Sequence, residues 1–124
     1  MWKNFENELV SKMEEHYSKL GYQVNMDGKY DLVATKGEHA IMIEFKSYAQ
    51  NTRLTHDVVA QVRSYADAYM QEHNVKVMPI VIGNFSVPSL VATNSTSSGV
   101  ILVPVKYEGS DELIRKIENI TAIK

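Results

Sequence analysis

The stretch from Ala40 to Ser47, AIMIEFKS, leaves the chain few ways to fold. It is a run of apolar, strand-forming residues interrupted only by Glu44 and Lys46. Alternate side chains of a strand share a face. Ile41, Ile43 and Phe45 therefore point one way, and Ala40, Met42, Glu44 and Lys46 the other. A carboxylate and an ammonium emerge side by side near the end of the strand. Ionised groups in such a strand are paired, coordinate a metal or face a cleft. Glu-x-Lys alone is most simply a surface ion pair, and such pairs are common and weak. The flanking sequence has to decide.

A chain of 124 residues with 44% apolar residues builds one domain around one core, here residues 1–124. The net charge of −2 gives no large sequence-independent grip on nucleic acid, although a local basic rim is compatible with it. No cysteine is present, so disulfide frameworks, iron–sulfur clusters and thiolate zinc sites are excluded. No signal peptide or long apolar run is legible, so the expectation is a cytoplasmic protein without a membrane span.

Trp2 to Leu20 reads as an amphipathic helix, with Phe5, Leu9, Met13, Tyr17 and Leu20 at helical spacing and Gly21 as its stop. Helical phase sets Glu6 beside Val10 and Met13 on the apolar side, with Glu8 and Glu15 nearer the polar side. Tyr22 to Met26 and Tyr30 to Thr35 read as strands around an Asp27-Gly28 turn. Lys36-Gly37 turns the chain into the central strand, His39 to Ser47, which completes an antiparallel meander. Gln50 to Leu54 reads as a polar loop. Thr55 is placed to cap a helix running to about His73, with Gln61 and Tyr65 stacked on one flank. Val75 to Ile82 reads as an apolar strand. Phe85 to Thr96 holds a short helix with Pro88 in its first turn, Asn94 to Gly99 a polar loop, and Val100 to Tyr107 a strand. Ser110 caps a last helix carrying Leu113, Ile114, Ile117 and Ile120. Strand, helix, strand implies a parallel crossover. The expected order is α-β-β-β-α-β-α-β-α, an α/β sandwich around a mixed central sheet.

Asp31 opens the strand before the central one, and hairpin pairing brings it toward Glu44. Asp31, Glu44 and Lys46 then meet in one cleft. Two carboxylates suit a hard cation such as Mg²⁺, which takes oxygen ligands and keeps several waters. The carbonyl of Phe45 is a candidate third ligand. A lysine beside the metal can stabilise developing phosphorane charge or orient the attacking water. That is the chemistry of metal-assisted phosphodiester hydrolysis. The four histidines show no His-x-x-x-His spacing.

Asp31 followed by Glu44-Phe45-Lys46, thirteen residues on, resembles the PD-(D/E)XK nuclease superfamily. Tyr30 stands where the label has proline. Gly28-Lys-Tyr-Asp31 is similar to the Gly-x-x-Asp motif of the RecB-like branch. Gln61-Val-Arg-Ser-Tyr65 is similar to the Gln-x-x-x-Tyr motif that this branch carries on the next helix. Phe5-Glu6 resembles the acidic position of the opening helix, for which Glu8 is the competing residue. The resemblance implies a restriction-endonuclease-like fold and a Mg²⁺- or Mn²⁺-dependent nuclease acting on DNA. In it Asp31 and Glu44 bind metal, Lys46 supports the nucleophile, Gln61 orients it and Glu6 tunes the site. Lys29, Arg53 and Arg63 flank the cleft as candidate phosphate contacts.

The size and spacing also resemble archaeal Holliday-junction resolvases, but their basic N-terminal tip and the glycine/serine-rich stretch before the aspartate are absent. A restriction-type endonuclease is a further alternative within the superfamily. A reading of another class is a non-catalytic DNA-binding or assembly module on the same fold, against which the complete acid and lysine set argues. Small members that cut both strands usually pair, so a homodimer is expected. Trp2, the strand Val100 to Tyr107 and the isoleucines of the last helix supply apolar surface for it. A protein partner is a further expectation.

Overall fold

The computed structural model describes residues 2–26, 28, 30–46, 52–105 and 110–121, the side chains of 2–5, 110, 111, 120 and 121 apart. The elements are α1 (Trp2–Lys19), β1 (Gln23–Asn25), β2 (Leu32–Lys36), β3 (His39–Lys46), α2 (His56–His73), β4 (Lys76–Gly83), α3 (Ser89–Ser98), β5 (Ile101–Pro104) and α4 (Ser110–Thr121). The expected order is the observed one. The sheet runs β1-β2-β3-β4-β5. The first three strands are antiparallel neighbours, and β3, β4 and β5 run parallel.

β3 is central and covered on both sides, which explains its almost unbroken apolar run. Ile41, Ile43 and Phe45 join Leu32, Ala34, Ile80, Ile82 and Val103 beneath Leu9, Met13 and Tyr17 of α1 and Leu113, Ile114 and Ile117 of α4. On the other face Ala40 and Met42 pack with Val33 against Ala66 and Tyr69 of α2. Farther along that face Val81 meets Val59 and Val62 of α2 and Val91 of α3. Glu44 and Lys46 share the α2 face by strand alternation.

Several boundaries differ from expectation for identifiable reasons. The polar segment Asn94 to Ser98 is helical, not a loop. Its hydroxyls bond back to carbonyls of the preceding turn: Thr93 Oγ1 to Ser89 O, Thr96 Oγ1 to Ala92 O and Ser97 Oγ to Thr93 O, at 3.0–3.1 Å. Gly99 then ends α3 in the left-handed conformation, φ 71°. Thr55 occupies the N-cap position of α2 but makes no side-chain cap bond. The expected loop before it is partly built into the fold. Leu54 is buried, and Leu54 N and Ser86 N bond to Ser86 O and Thr52 O. The hairpin turn falls at Gly37 and Glu38. Pro79 sits in β4 opposite Met42, on the stretch where β5 has not yet begun; pairing with β5 starts at Ile80. A proline there removes no ladder bond to β5. The end of the expected last strand, Lys106 and Tyr107, lies outside the described residues.

Candidate active site

The two carboxylates meet where the β2–β3 ladder runs out. Asp31 N donates to Ile43 O at 3.2 Å, extending the hairpin one residue beyond Leu32. Asp31 Oδ2 then accepts from Phe45 N at 2.7 Å, so the side chain replaces the backbone acceptor that a longer strand would supply. Leu32 pairs with Ile43, so Asp31 lies opposite Glu44 on the same face of the sheet. The amide and carbonyl of one residue open on the same strand edge. The carbonyl of Phe45 therefore opens beside Asp31.

Glu44 is one of two buried polar residues among those described, the other being Ser95. Its carboxyl is pushed up to about 8. Burial is the largest cause, followed by the hydrogen bond with Asp31 and the charge of Asp31. Lys46 acts in the opposite direction, and the charge of Glu6 adds to the rise. Asp31 just ahead of β2, Lys46 on β3 and Glu6 on α1 thus all act on Glu44. Glu6 is half-buried on α1. Glu8 instead pairs with Lys12 at 3.6 Å in solvent.

The other expected residues divide. Gln61 is exposed on α2, and no hydrogen bond joins it to Asp31, Glu44 or Lys46 among the described residues. Tyr65, one turn on, is half-buried against the Val33–Met42 cluster. Arg63 is committed elsewhere. Its Nη2 and Nε meet Asp67 Oδ1 at 2.9 and 3.1 Å, and its Nη1 donates to Ser98 O at 2.8 Å, fastening α2 to α3. Arg53 is exposed and bridges to Ser86. Lys29 lies outside the described residues.

A buried carboxyl beside a second one, with one lysine nearby, gathers oxygen donors at one point. That donor set fits a hard divalent cation. No group of three or more His, Cys, Asp or Glu side chains gathers as metal ligands among the described residues. A cation here would take the two carboxylates, the Phe45 carbonyl and water. Sequence reasoning missed the aromatic cluster on the same face, where Tyr30, Tyr69 and His73 join Tyr65. The signal was present: Tyr65, Tyr69 and His73 recur every four residues along α2.

The molecule resembles three solved structures in fold. One is a repair endonuclease from Pyrococcus abyssi, at 14% identity and TM-score 0.57, covering 86% of this chain and 47% of that one. Another is EndoMS in apo form, at 17% identity and TM-score 0.53, covering 72% and 40%. The third is a protein of unknown function, at 17% identity and TM-score 0.51, covering 94% and 72%. This chain therefore spans less than half the length of the first two. A search of curated proteins gave no significant match. The family profile of the PD-(D/E)XK nuclease superfamily matches residues 2–115. With that match over nearly its whole length, and with the mixed sheet that carries Asp31, Glu44 and Lys46, the chain belongs to the PD-(D/E)XK nuclease superfamily.

Proposed function

We propose that this nuclease domain hydrolyses phosphodiester bonds of DNA with Mg²⁺ or Mn²⁺ held by Asp31, Glu44 and the Phe45 carbonyl. The observation that carries the reading is the meeting of Asp31 with a buried Glu44 under the influence of Lys46. The bound cation would supply Lewis-acid activation of water and charge neutralisation at the phosphate. The chain's own residues do the rest. Asp31, tied to Phe45 N, holds its second oxygen in a fixed direction. Glu44 would release its proton to water where a cation binds, and its carboxylate would then be a ligand. Lys46 stabilises negative charge developing on the phosphoryl oxygens or holds the nucleophilic water. Gln61 reaches the water or a phosphate once the substrate is seated, and Glu6 tunes Glu44 from α1.

A panel of single-stranded, duplex and four-way DNA, each with Mg²⁺, Mn²⁺ or EDTA, tests this. Cleavage confined to the metal-containing reactions is expected. No cleavage of any substrate, with binding retained, would replace the reading with a DNA-binding module. Cutting of the four-way substrate alone would select the resolvase-like alternative. A homodimer belongs to the same proposal, since cutting two strands requires two sites and each chain offers one.

A further inference from the structure

A cleft of 510 Å³ opens on the α2 face, between Asn25, Gly28 and Tyr30 on one side and the second half of α2 on the other. Its size falls within the ~300–1,000 Å³ range of small-molecule sites. Tyr30, Tyr65, Tyr69, His73, Asn25 and Glu72 are among its walls. Tyr30 and Tyr69 meet edge to face, with centroids 5.9 Å apart, and His73 lies over Tyr69 at 4.1 Å and 32°. Thr35 Oγ1 and Tyr69 OH, 3.1 Å apart, hold the middle ring in place. Tyr30 and Tyr65 are half-buried and both line the cleft.

Two walls of the cleft are neighbours in the chain of residues assigned to the proposed catalytic site. Tyr30 is the residue before Asp31, and Tyr65 is one helical turn, about 6 Å, beyond Gln61. No lysine or arginine is among its described walls, and Glu72 stands at its rim. The flat face of a base is favoured by the rings.

We infer that this cleft stacks a nucleobase of an unpaired nucleotide next to the scissile phosphate, giving the enzyme a preference for single-stranded or locally unpaired DNA. The inference rests on the nuclease reading for its substrate. Within a duplex both faces of a base are covered by its neighbours, so only an unpaired or extruded base can enter.

The test is binding in EDTA, where no cutting occurs. Fluorescence anisotropy would compare a labelled single-stranded oligonucleotide with a duplex of the same sequence. Tyr65→Leu should weaken single-strand binding by about tenfold or more and leave duplex binding unchanged, and Tyr65→Phe should retain both. Ala68→Glu, on an exposed helix position in the same cleft, should also weaken single-strand binding alone. A 2-aminopurine in the oligonucleotide should be quenched by the wild type and released by Tyr65→Leu. Equal single-strand affinity for wild type, Tyr65→Leu and Ala68→Glu would overturn the inference. So would parallel losses for single strand and duplex. Metal-dependent duplex cutting that persists beside such a result would leave the nuclease reading standing. Selective stacking with no cutting of any DNA would sink the nuclease reading instead.

Discussion

Glu44 carries the strongest consequences of any residue. Its ordinary value is 4.5, and in the folded chain it is pushed up to about 8. Between those values the native state keeps a proton that the unfolded chain has lost. Stability without metal therefore falls as pH rises through that window. Thermal melts in EDTA from pH 5 to pH 8 should show a declining midpoint, and Glu44→Gln should flatten the decline. Mg²⁺ or Mn²⁺ should restore the wild-type midpoint most at the alkaline end, because a cation favours the charged carboxylate. An unchanged pH profile in Glu44→Gln would show that the slope comes from other groups. Catalysis gives a separate check. Asp31→Ala, Glu44→Ala and Lys46→Ala should each lower metal-dependent cleavage by about a hundredfold or more while circular dichroism stays unchanged. Undiminished cleavage by Lys46→Ala would remove the lysine from the mechanism.

Among the elements, β3 and β4 fix the site together. Lys46 pairs with Gly83, and a Cβ on Gly83 would collide with the Lys46 backbone carbonyl and the Phe85 ring. A backbone carbonyl cannot swing away as a flexible side chain can. Gly83→Ala should therefore cost about 1–3 kcal/mol and displace Lys46, lowering cleavage as well as the melting midpoint. Loss of stability with full cleavage would mean that β4 yields and Lys46 does not. The end of α3 differs from the expected loop for a related reason. Ser and Thr favour turns because their hydroxyls compete for backbone groups, yet here they bond to carbonyls of the helix's own preceding turn. Val91 and Ser95 are buried against the sheet side, and that packing outweighs the local preference.

For the whole molecule, the apolar residues first considered for a dimer face are largely spent in its own core. Val100, Val103, Val105, Ile114 and Ile117 are buried, Ile101 and Leu102 are half-buried, and the side chains of Trp2 and Ile120 lie outside the described residues. Leu20, Met26 and Leu90 are the large apolar side chains that stand exposed among those described, Leu90 at 76%. They are scattered over different elements. The proposed dimer thus rests on the need for two cuts. Sedimentation equilibrium at micromolar concentration should give a mass of two chains, rising in proportion when duplex DNA is added. A mass of one chain throughout would leave a single-site nuclease.

The element order and the face-sharing of Glu44 with Lys46 were legible because strand alternation and helical phase are local rules. So were the motif residues, since Asp31 and Glu44-x-Lys46 are close in sequence and joined by a short hairpin. Local rules say nothing about depth, however. Glu-x-Lys reads locally as a plausible surface pair, and tertiary packing around the central strand buried Glu44 and raised its proton affinity. Likewise Arg63 reads as a free cation until α3 folds back and presents Ser98 O to it. The aromatic cleft gathers Tyr30 and Tyr65 across 35 residues of chain. Such proximity is set by how the sheet and helix stack, because the energy that decides it comes from contacts no single segment contains.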